Sequence, residues 1–149
     1  MKKHYGKGTF TYVDGDVYEG EIQDAEPHGI GKMTYKDGRI SEGVWEDGEI
    51  VYEGELRRRK PHGRGKWIYP NGTYEGEWKN GEYHGKGTRK WTSGSSYEGE
   101  WKNGEYHGKG TRKWTNGSLY EGEWKDGEKH GVGTLKLSSG EMYEGEWKD

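Results

Sequence analysis

The sequence has no cysteine and very few aliphatic residues, and these shortages exclude several classes of protein. Leu, Ile, Val and Phe together number 15 of 149 residues. That is too few for the apolar stripes of a helical bundle or the buried strands of a doubly wound enzyme domain. The lack of cysteine excludes disulfides, thiolate catalysis and cysteine zinc sites.

Long apolar stretches are also missing. No segment approaches the roughly 20 apolar residues that a membrane span requires, and no apolar run follows the amino-terminal lysines as it would in a secretory signal. We therefore expect a cytoplasmic protein, either free or associated with a membrane or the cytoskeleton. The net charge of −3 and pI near 6.1 lack the basic excess that nucleic-acid binding favours, so we expect no nucleic-acid partner.

Glycine and aromatic residues are abundant instead, and they recur at regular intervals. The chain contains 29 Gly, 12 Tyr and 8 Trp. The motif YEGE or a variant begins at Tyr18, Ser41, Tyr52, Tyr74, Tyr97, Tyr120 and Tyr143. It divides one array over 1–149 into about six repeats: a partial 5–17, then 18–40, a truncated 41–51, 52–73, 74–96, 97–119, 120–142 and a partial 143–149.

Each full unit predicts two antiparallel strands. In the unit that begins at Tyr74, the residues Tyr74, Gly76 and Trp78 alternate with Glu75 and Glu77, which is the period of a half-buried strand. An Asn-Gly pair then favours a tight hairpin, and the following GKGTRKW segment alternates again. We therefore predict an all-β fold, an elongated single-layer antiparallel β-hairpin solenoid that forms a twisted meander with an aromatic and glycine face.

The truncated unit 41–51 should disturb this meander. It keeps a first strand and the Asp47-Gly48 turn but has no HGxG segment, so the array loses a strand. Loss of one strand reverses the direction of every later strand unless a crossover or an irregular segment intervenes. The spacing predicts a kink or bulge near 46–60.

The repeated histidines and glutamates do not form a plausible reaction centre. Successive histidines lie two strands apart, about 9.5 Å, whereas ligands of one zinc ion lie within ~2.1 Å of it. The paired glutamates stand on the polar face beside lysines, where a solvated charge ladder is expected. We therefore expect no enzyme activity, no catalytic residue, no metal site and no cofactor.

The units resemble the MORN (membrane occupation and recognition nexus) repeat family, whose pattern is YxGxWxxGxxHGxGxxxxxxGxxY. Five units carry the HGxG element, at His28, His62, His84, His107 and His130, while the first copy has Tyr5 in that place. The resemblance implies a β-hairpin solenoid without intrinsic catalysis, used as a scaffold, a dimerisation element or a membrane-associated module.

Three surfaces are candidates for binding. The first is a partner-binding groove for a protein or peptide on the aromatic face, because a single sheet has no second layer to cover it. Its residues are Tyr74, Trp78, Arg89, Trp91, Tyr97, Trp101, Arg112, Trp114, Tyr120 and Trp124. The second is a basic patch at Arg57, Arg58, Arg59 and Lys60, suited to an acidic phospholipid surface.

The third surface is the strand at the carboxy-terminal end of the sequence, with Tyr143 and Trp147. An unpaired strand edge favours self-association, so we expect either that the sequence is a segment of a longer protein or that a homodimer forms through this edge. Taken together, the residues favour a non-enzymatic scaffold that presents an aromatic groove. A peripheral membrane module is the alternative, and an aromatic cage for a sugar or a choline-like ligand is a third, less favoured reading.

Overall fold

The computed structural model describes residues 5–148 and contains thirteen strands in one antiparallel sheet, whose order follows the chain. No helix occurs among these residues. Strands β1 to β13 are, in chain order, Tyr5–Thr11, Val17–Gln23, Glu26–Thr34, Ile40–Glu46, Glu49–Arg57, Lys60–Tyr69, Gly72–Lys79, Glu82–Trp91, Ser96–Lys102, Glu105–Lys113, Leu119–Lys125, Glu128–Lys136 and Met142–Trp147. The predicted all-β hairpin repeat is confirmed.

Two-residue turns join the two strands within each hairpin. At the β7–β8 turn, Asn80 and Gly81 have φ values of 50° and 84°, the left-handed pair that a type I′ hairpin needs. Asn103 and Gly104 repeat this conformation between β9 and β10. The Gly81 amide also donates a hydrogen bond to the Pro61 carbonyl of the preceding hairpin, so consecutive turns are tied together.

A glycine pair at the centre of each hairpin lets a tyrosine lie on the backbone. Gly76 pairs with Gly87 across β7 and β8, and the Tyr74 ring covers Gly87 so closely that a Cβ there would collide with the phenol. The Tyr74 hydroxyl donates to the Glu77 carbonyl at 2.8 Å. This arrangement fully buries Tyr74 in a sheet that has only one layer.

The tryptophan of each following repeat closes the core. Trp101 packs edge-on against Tyr74 at 5.5 Å between ring centroids, and its indole Nε1–H donates to the Gly87 carbonyl at 3.0 Å. The same pair of contacts links Tyr97 with Trp124. The core is therefore a continuous row in which each repeat covers its neighbour, as expected of a repeat array.

The truncated unit continues the meander without a crossover. Strand β4 pairs directly with β5, so the YEGE strand that starts the next repeat occupies the place of the missing HGxG strand. The predicted irregularity near 46–60 is present as a β-bulge. Val44 pairs with Tyr52 and Trp45 pairs with Ile50, which leaves Val51 as one extra residue on β5.

The chain's aromatic residues change face at this bulge. Val44 and Trp45 are consecutive in β4, so their side chains point to opposite faces of the sheet. Trp45 packs with Tyr18 and Met33, whereas Val44 packs against the cluster that contains Tyr52. The single extra residue thus splits the core into two clusters on opposite faces. We call them the amino-terminal cluster (Tyr18, Met33, Trp45) and the carboxy-terminal cluster (Tyr52, Tyr74, Trp78, Tyr97, Trp101, Tyr120, Trp124).

An ion pair spans the strands on either side of the bulge. Arg59, in the β5–β6 turn, donates from Nη2 to Oε1 of Glu21 in β2 at 2.8 Å, although β3 and β4 lie between β2 and β5. Hydrogen bonds from Arg59 and from the Ile30 amide hold the pKa of Glu21 below its usual value. This contact joins the part of the sheet before the bulge to the part after it.

The close packing of tyrosine on glycine predicts that a single methyl group will be costly. We expect Gly87→Ala to lower the free energy of unfolding by about 2–4 kcal/mol, because the buried Tyr74 ring cannot move aside. Urea unfolding followed by tryptophan fluorescence measures this change.

The matched control is Gly104→Ala. Gly104 has a positive φ of 82° but nothing within 4 Å of a Cβ, so its cost should be about 1 kcal/mol, from backbone conformation alone. Equal costs at the two positions would show that close ring packing is not what requires glycine at position 87.

Candidate binding face

Six of the ten residues predicted to line the groove form the core instead. Tyr74, Tyr97 and Tyr120 are fully buried, and the tryptophans after them are 5% exposed. These six are Tyr74, Trp78, Tyr97, Trp101, Tyr120 and Trp124. Because their rings are largely covered, although Trp101 still lines an open cleft on this face, the predicted groove is corrected to the side chains that lie above them.

A second aromatic layer covers this core. Tyr83 stacks on Tyr74 with 3.8 Å between centroids and 2° between planes, and Tyr106 stacks on Tyr97 at 4.0 Å. Both covering rings are half-buried. Sequence reasoning missed them, although the tyrosine directly before His84 and before His107 was a visible signal.

The remaining four predicted groove residues lie together at one side of this layer. The Arg89 guanidinium carbon lies 4.7 Å from the ring centres of both Tyr69 and Trp91. The Arg112 guanidinium carbon lies 4.6 Å from the Trp91 ring and 5.4 Å from the Trp114 ring. Cations and aromatic rings therefore alternate along the edge of the aromatic face.

An open cleft of about 290 Å³ lies between the aromatic layer and this edge. Its walls include the second-layer rings Tyr83 and Tyr106 together with Arg89 and Trp91. A larger depression, of about 870 Å³, lies on the opposite face and is lined by Glu, Lys, Thr and Gly with one exposed valine, Val132. The aromatic cleft is the better anchor site because large flat rings supply most binding energy at interfaces.

The predicted basic patch spans the β5–β6 hairpin turn, with Arg57 at the end of β5 and Lys60 at the start of β6, and all four of its side chains are exposed. Arg58 and Arg59 have φ values of 51° and 67°. The ion pair with Glu21 engages Arg59, so Arg57, Arg58 and Lys60 are the cations of the patch that remain without an ion pair in the described part of the chain.

The repeated glutamates, together with His28 and His62, form hydrogen bonds to the backbone. A bulge sets the single residue Glu77 of β7 opposite His84 to Lys86 of β8, and the Glu77 carboxylate accepts the Lys86 amide hydrogen there. The His62 imidazole Nδ1 accepts a hydrogen bond from the Asn80 amide of the next turn at 3.2 Å. Within residues 5–148, no group of three or more His, Asp and Glu side chains is arranged to hold a metal ion.

The predicted self-association edge is strand β13, which pairs only with β12 among the described strands. Tyr143 is 52% exposed, and its hydroxyl donates to the Glu141 carboxylate. Trp147 belongs to the repeat row, because its indole packs against Tyr120 and donates to the Gly133 carbonyl. Self-association through this edge stays a prediction.

Because residues 5–148 form no helix, the described part of the chain contains no candidate for a membrane-spanning helix.

The fold and the face together define a β-hairpin repeat protein whose aromatic core is shared between successive units. The profile of the MORN repeat family matches residues 6–17, 18–38, 52–73, 74–96, 97–119, 120–142 and 143–149. The chain therefore belongs to the MORN repeat family. The matched segments omit 39–51, which contains the truncated unit. No curated protein is significantly similar to the chain.

Burial of the core tyrosines predicts a dependence of stability on alkaline pH. Burial, with the nearby Glu21 or Glu55 carboxylate, raises the pKa of Tyr18 and Tyr52 to about 12. For Tyr97, burial is again the largest cause of a raised pKa. The unfolded tyrosine ionises near pH 10, so its stabilising contribution is complete below pH 10 and is lost as the pH rises toward the folded value.

We expect Tyr97→Phe to cost about 1 kcal/mol at pH 7, because the variant loses the hydrogen bond to the Glu100 carbonyl. The difference in the free energy of unfolding between wild type and this variant should shrink as the pH rises above 10. Denaturant unfolding of both proteins from pH 7 to 11 measures the difference, and an advantage that grows above pH 10 would contradict the assignment. Tyr5→Phe, at a 72% exposed tyrosine, is the control and should change stability by less than about 0.3 kcal/mol at pH 7.

Proposed function

We propose that this MORN repeat protein is a non-enzymatic scaffold that binds an extended segment of a partner protein along the aromatic face of β6–β12. The observation that carries the proposal is the second aromatic layer. Tyr83 and Tyr106 stack on the buried core tyrosines and, with Trp91 and Trp114, present half-buried rings to solvent. These rings pack on the core from one side and leave part of their surface open to solvent, as the residues of a binding face do.

The geometry of the layer suits an extended peptide. Tyr83 and Tyr106, and likewise Trp91 and Trp114, are equivalent side chains two strands apart, at about 9.6 Å, so the face repeats its contacts along the sheet. Rigid aromatic rings bind with little loss of side-chain entropy, and they are enriched among residues that dominate binding energy. The underlying core fixes their positions, because Tyr83 and Tyr106 stack directly on buried tyrosines.

The absence of catalysis belongs to the same proposal. The glutamates that could have acted as acid and base are used by the fold, since Glu77, Glu100 and Glu123 each accept a backbone amide hydrogen. A carboxylate that holds the chain in place is not available to transfer a proton without disturbing the hairpin.

Selection from a displayed library of random 12-residue peptides tests the proposal. Peptides selected on wild type should bind the variants Trp91→Ala and Trp114→Ala at least tenfold more weakly, as expected when an aromatic anchor is removed. Calorimetric titration of the purified proteins with synthetic peptides measures the affinities. Both rings are half-buried and pack against the core, so thermal unfolding of each variant has to show that it remains folded before its affinity is compared.

Val132→Ala is the matched control, because Val132 is 61% exposed and lines the depression on the opposite face. Its affinity for the selected peptides should stay within about twofold of wild type. Selection that enriches no peptide over an empty surface, or peptides that bind all four proteins equally, would overturn the proposal.

A second candidate function is attachment to an acidic membrane through the basic patch. The observation in its favour is the exposure of Arg57, Arg58 and Lys60 on one tight turn. At about 1 kcal/mol for each cation near an anionic surface, these three supply roughly 3 kcal/mol, which is weak binding.

Sedimentation with phosphatidylserine vesicles tests this candidate. Binding through the patch should fall steeply between low and physiological salt and should be lost in the triple variant Arg57→Gln, Arg58→Gln, Lys60→Gln. Replacing the exposed lysines 79, 102 and 125 with glutamine provides a control of equal charge change elsewhere. Vesicle binding that is absent, or equal in both triple variants, would exclude the patch as a lipid site.

A further inference from the structure

The cleft that Tyr83 and Tyr106 border has no equivalent elsewhere in the described repeats. Its volume is about 290 Å³, and we call it the tyrosine cleft. Only these two units have tyrosine directly before the HGxG histidine, whereas the other units with that histidine have Pro27, Pro61 and Lys129 there. A cleft between two such tyrosines therefore forms once within residues 5–148. It can fix the position of a partner segment on a face whose other contacts repeat.

The two tyrosine rings leave surface for a ligand. One face of Tyr83 stacks on Tyr74, and one face of Tyr106 stacks on Tyr97. Trp101 stands between the outer rings, 5.0 Å from the centre of each and at angles of 79° and 66° to them. Both outer rings are half-buried and line the cleft. An aromatic side chain placed there would contact three rings, which favours it over an aliphatic one.

The two ends of the tyrosine cleft carry opposite charge. Glu105, the exposed first residue of β10, lines the end beside the β9–β10 turn. Strands β8 and β10 run in the same direction, so Trp91, the last residue of β8, lies at the other end. The Arg112 guanidinium carbon is 4.6 Å from the centre of the Trp91 ring. A ligand in the cleft therefore meets a cation at the Trp91 end.

Arg112 has hydrogen-bond donors that the fold does not use. Its Nη1 donates to the Ser96 and Lys113 carbonyls. Among the described residues, its Nη2 and Nε have no hydrogen-bond partner, and no carboxylate lies within ion-pair distance of it. These two donors form the edge of a guanidinium that binds a carboxylate in a bidentate manner. The unpaired charge favours an acidic group on the ligand.

The positive charge of Arg112 acts on a residue of the cleft itself. Burial raises the pKa of the Tyr106 hydroxyl, and the guanidinium groups of Arg112 and Arg89 act in the opposite direction. The hydroxyl of Tyr83 is hydrogen-bonded to that of Tyr69. Within residues 5–148, the Tyr106 hydroxyl has no such partner. It is a second donor at the end of the cleft that Arg112 approaches.

We propose that the tyrosine cleft binds an aromatic side chain of the partner segment, and that Arg112 binds the carboxylate of an Asp or Glu two residues away from it. Side chains two residues apart in an extended chain lie on the same face at about 6.6 Å. That spacing suits a cleft and a guanidinium that share contact with Trp91. The inference rests on the proposed function, because it names the residues that the partner segment places on the aromatic face.

The test uses a displayed library of 12-residue peptides with Phe-Ser-Glu fixed at the centre and random residues elsewhere. The peptide most enriched on the whole chain is synthesised, together with its Ala-Ser-Glu and Phe-Ser-Gln forms. Calorimetric titration should show binding about tenfold weaker for the alanine form, which lacks the ring. The glutamine form should bind at least about fivefold more weakly, because it lacks the charge that Arg112 pairs with.

The informative variant is Arg112→Gln, and Lys113→Gln is its matched control. Lys113 follows directly in β10, points to the other face and is exposed, so both variants lose one positive charge from nearly the same place. Arg112→Gln should weaken the Phe-Ser-Glu peptide about tenfold and its Phe-Ser-Gln form less than about twofold. Lys113→Gln should change neither by more than about twofold. Arg112→Leu gives a second reading if Arg112→Gln does not fold, because Leu135 stands at this position in the next unit.

Two failures can be told apart. The cleft assignment is wrong, and the scaffold proposal stands, if fully random peptides depend on Trp91 and Trp114 but the fixed library yields no binder. The same conclusion follows if its best peptide loses less than about twofold in the alanine or the glutamine form. If neither library yields a peptide that binds above an empty surface, both proposals are wrong. Equal weakening by Arg112→Gln and Lys113→Gln would also overturn the cleft assignment, because only net charge would then matter.

Discussion

The contact on which this structure depends is a tyrosine ring lying on a pair of glycines. A single-layer sheet cannot bury a side chain between two sheets, so burial has to come from the backbone itself. Gly76 and Gly87 remove the Cβ atoms that would hold the ring away, and the Tyr74 hydroxyl then reaches the carbonyl of Glu77. Each tyrosine is thereby covered below by main chain and above by rings, which explains full burial in a chain with so few aliphatic residues.

The same contact explains why a single inserted residue has a large effect. Because burial uses one face of each strand, a shift of one residue in the pairing register moves the following aromatic residues to the other face, whereas the two-residue shift within a regular hairpin does not. The extra residue Val51 does this between β4 and β5, and the two clusters consequently occupy opposite faces. The truncated unit therefore divides one sheet into two arrays of opposite orientation, and the Arg59–Glu21 ion pair connects them.

Local sequence signals predicted the strands well, because turns and alternation are local properties. The Asn-Gly and Asp-Gly pairs marked the hairpins, and the period of two placed Tyr74, Gly76 and Trp78 on one face. The short spacing of the unit 41–51 also predicted a bulge. The change of face did not follow from the spacing alone, because it depends on which residue of β4 pairs with Tyr52.

The binding face was predicted less completely for a related reason. Alternation shows which side chains share a face, but it does not show which of them lie underneath others. Tyr74 and Tyr97 were assigned to a groove, yet Tyr83 and Tyr106 cover them.

The repeat units distinguish core residues from surface residues, because residues that build the core recur in nearly every unit. Arg89 and Arg112 stand where other units have Phe10, Met33, Trp67 and Leu135. The core tolerates either an apolar residue or an arginine at this position. A repeat protein can therefore acquire a binding residue there without losing its fold.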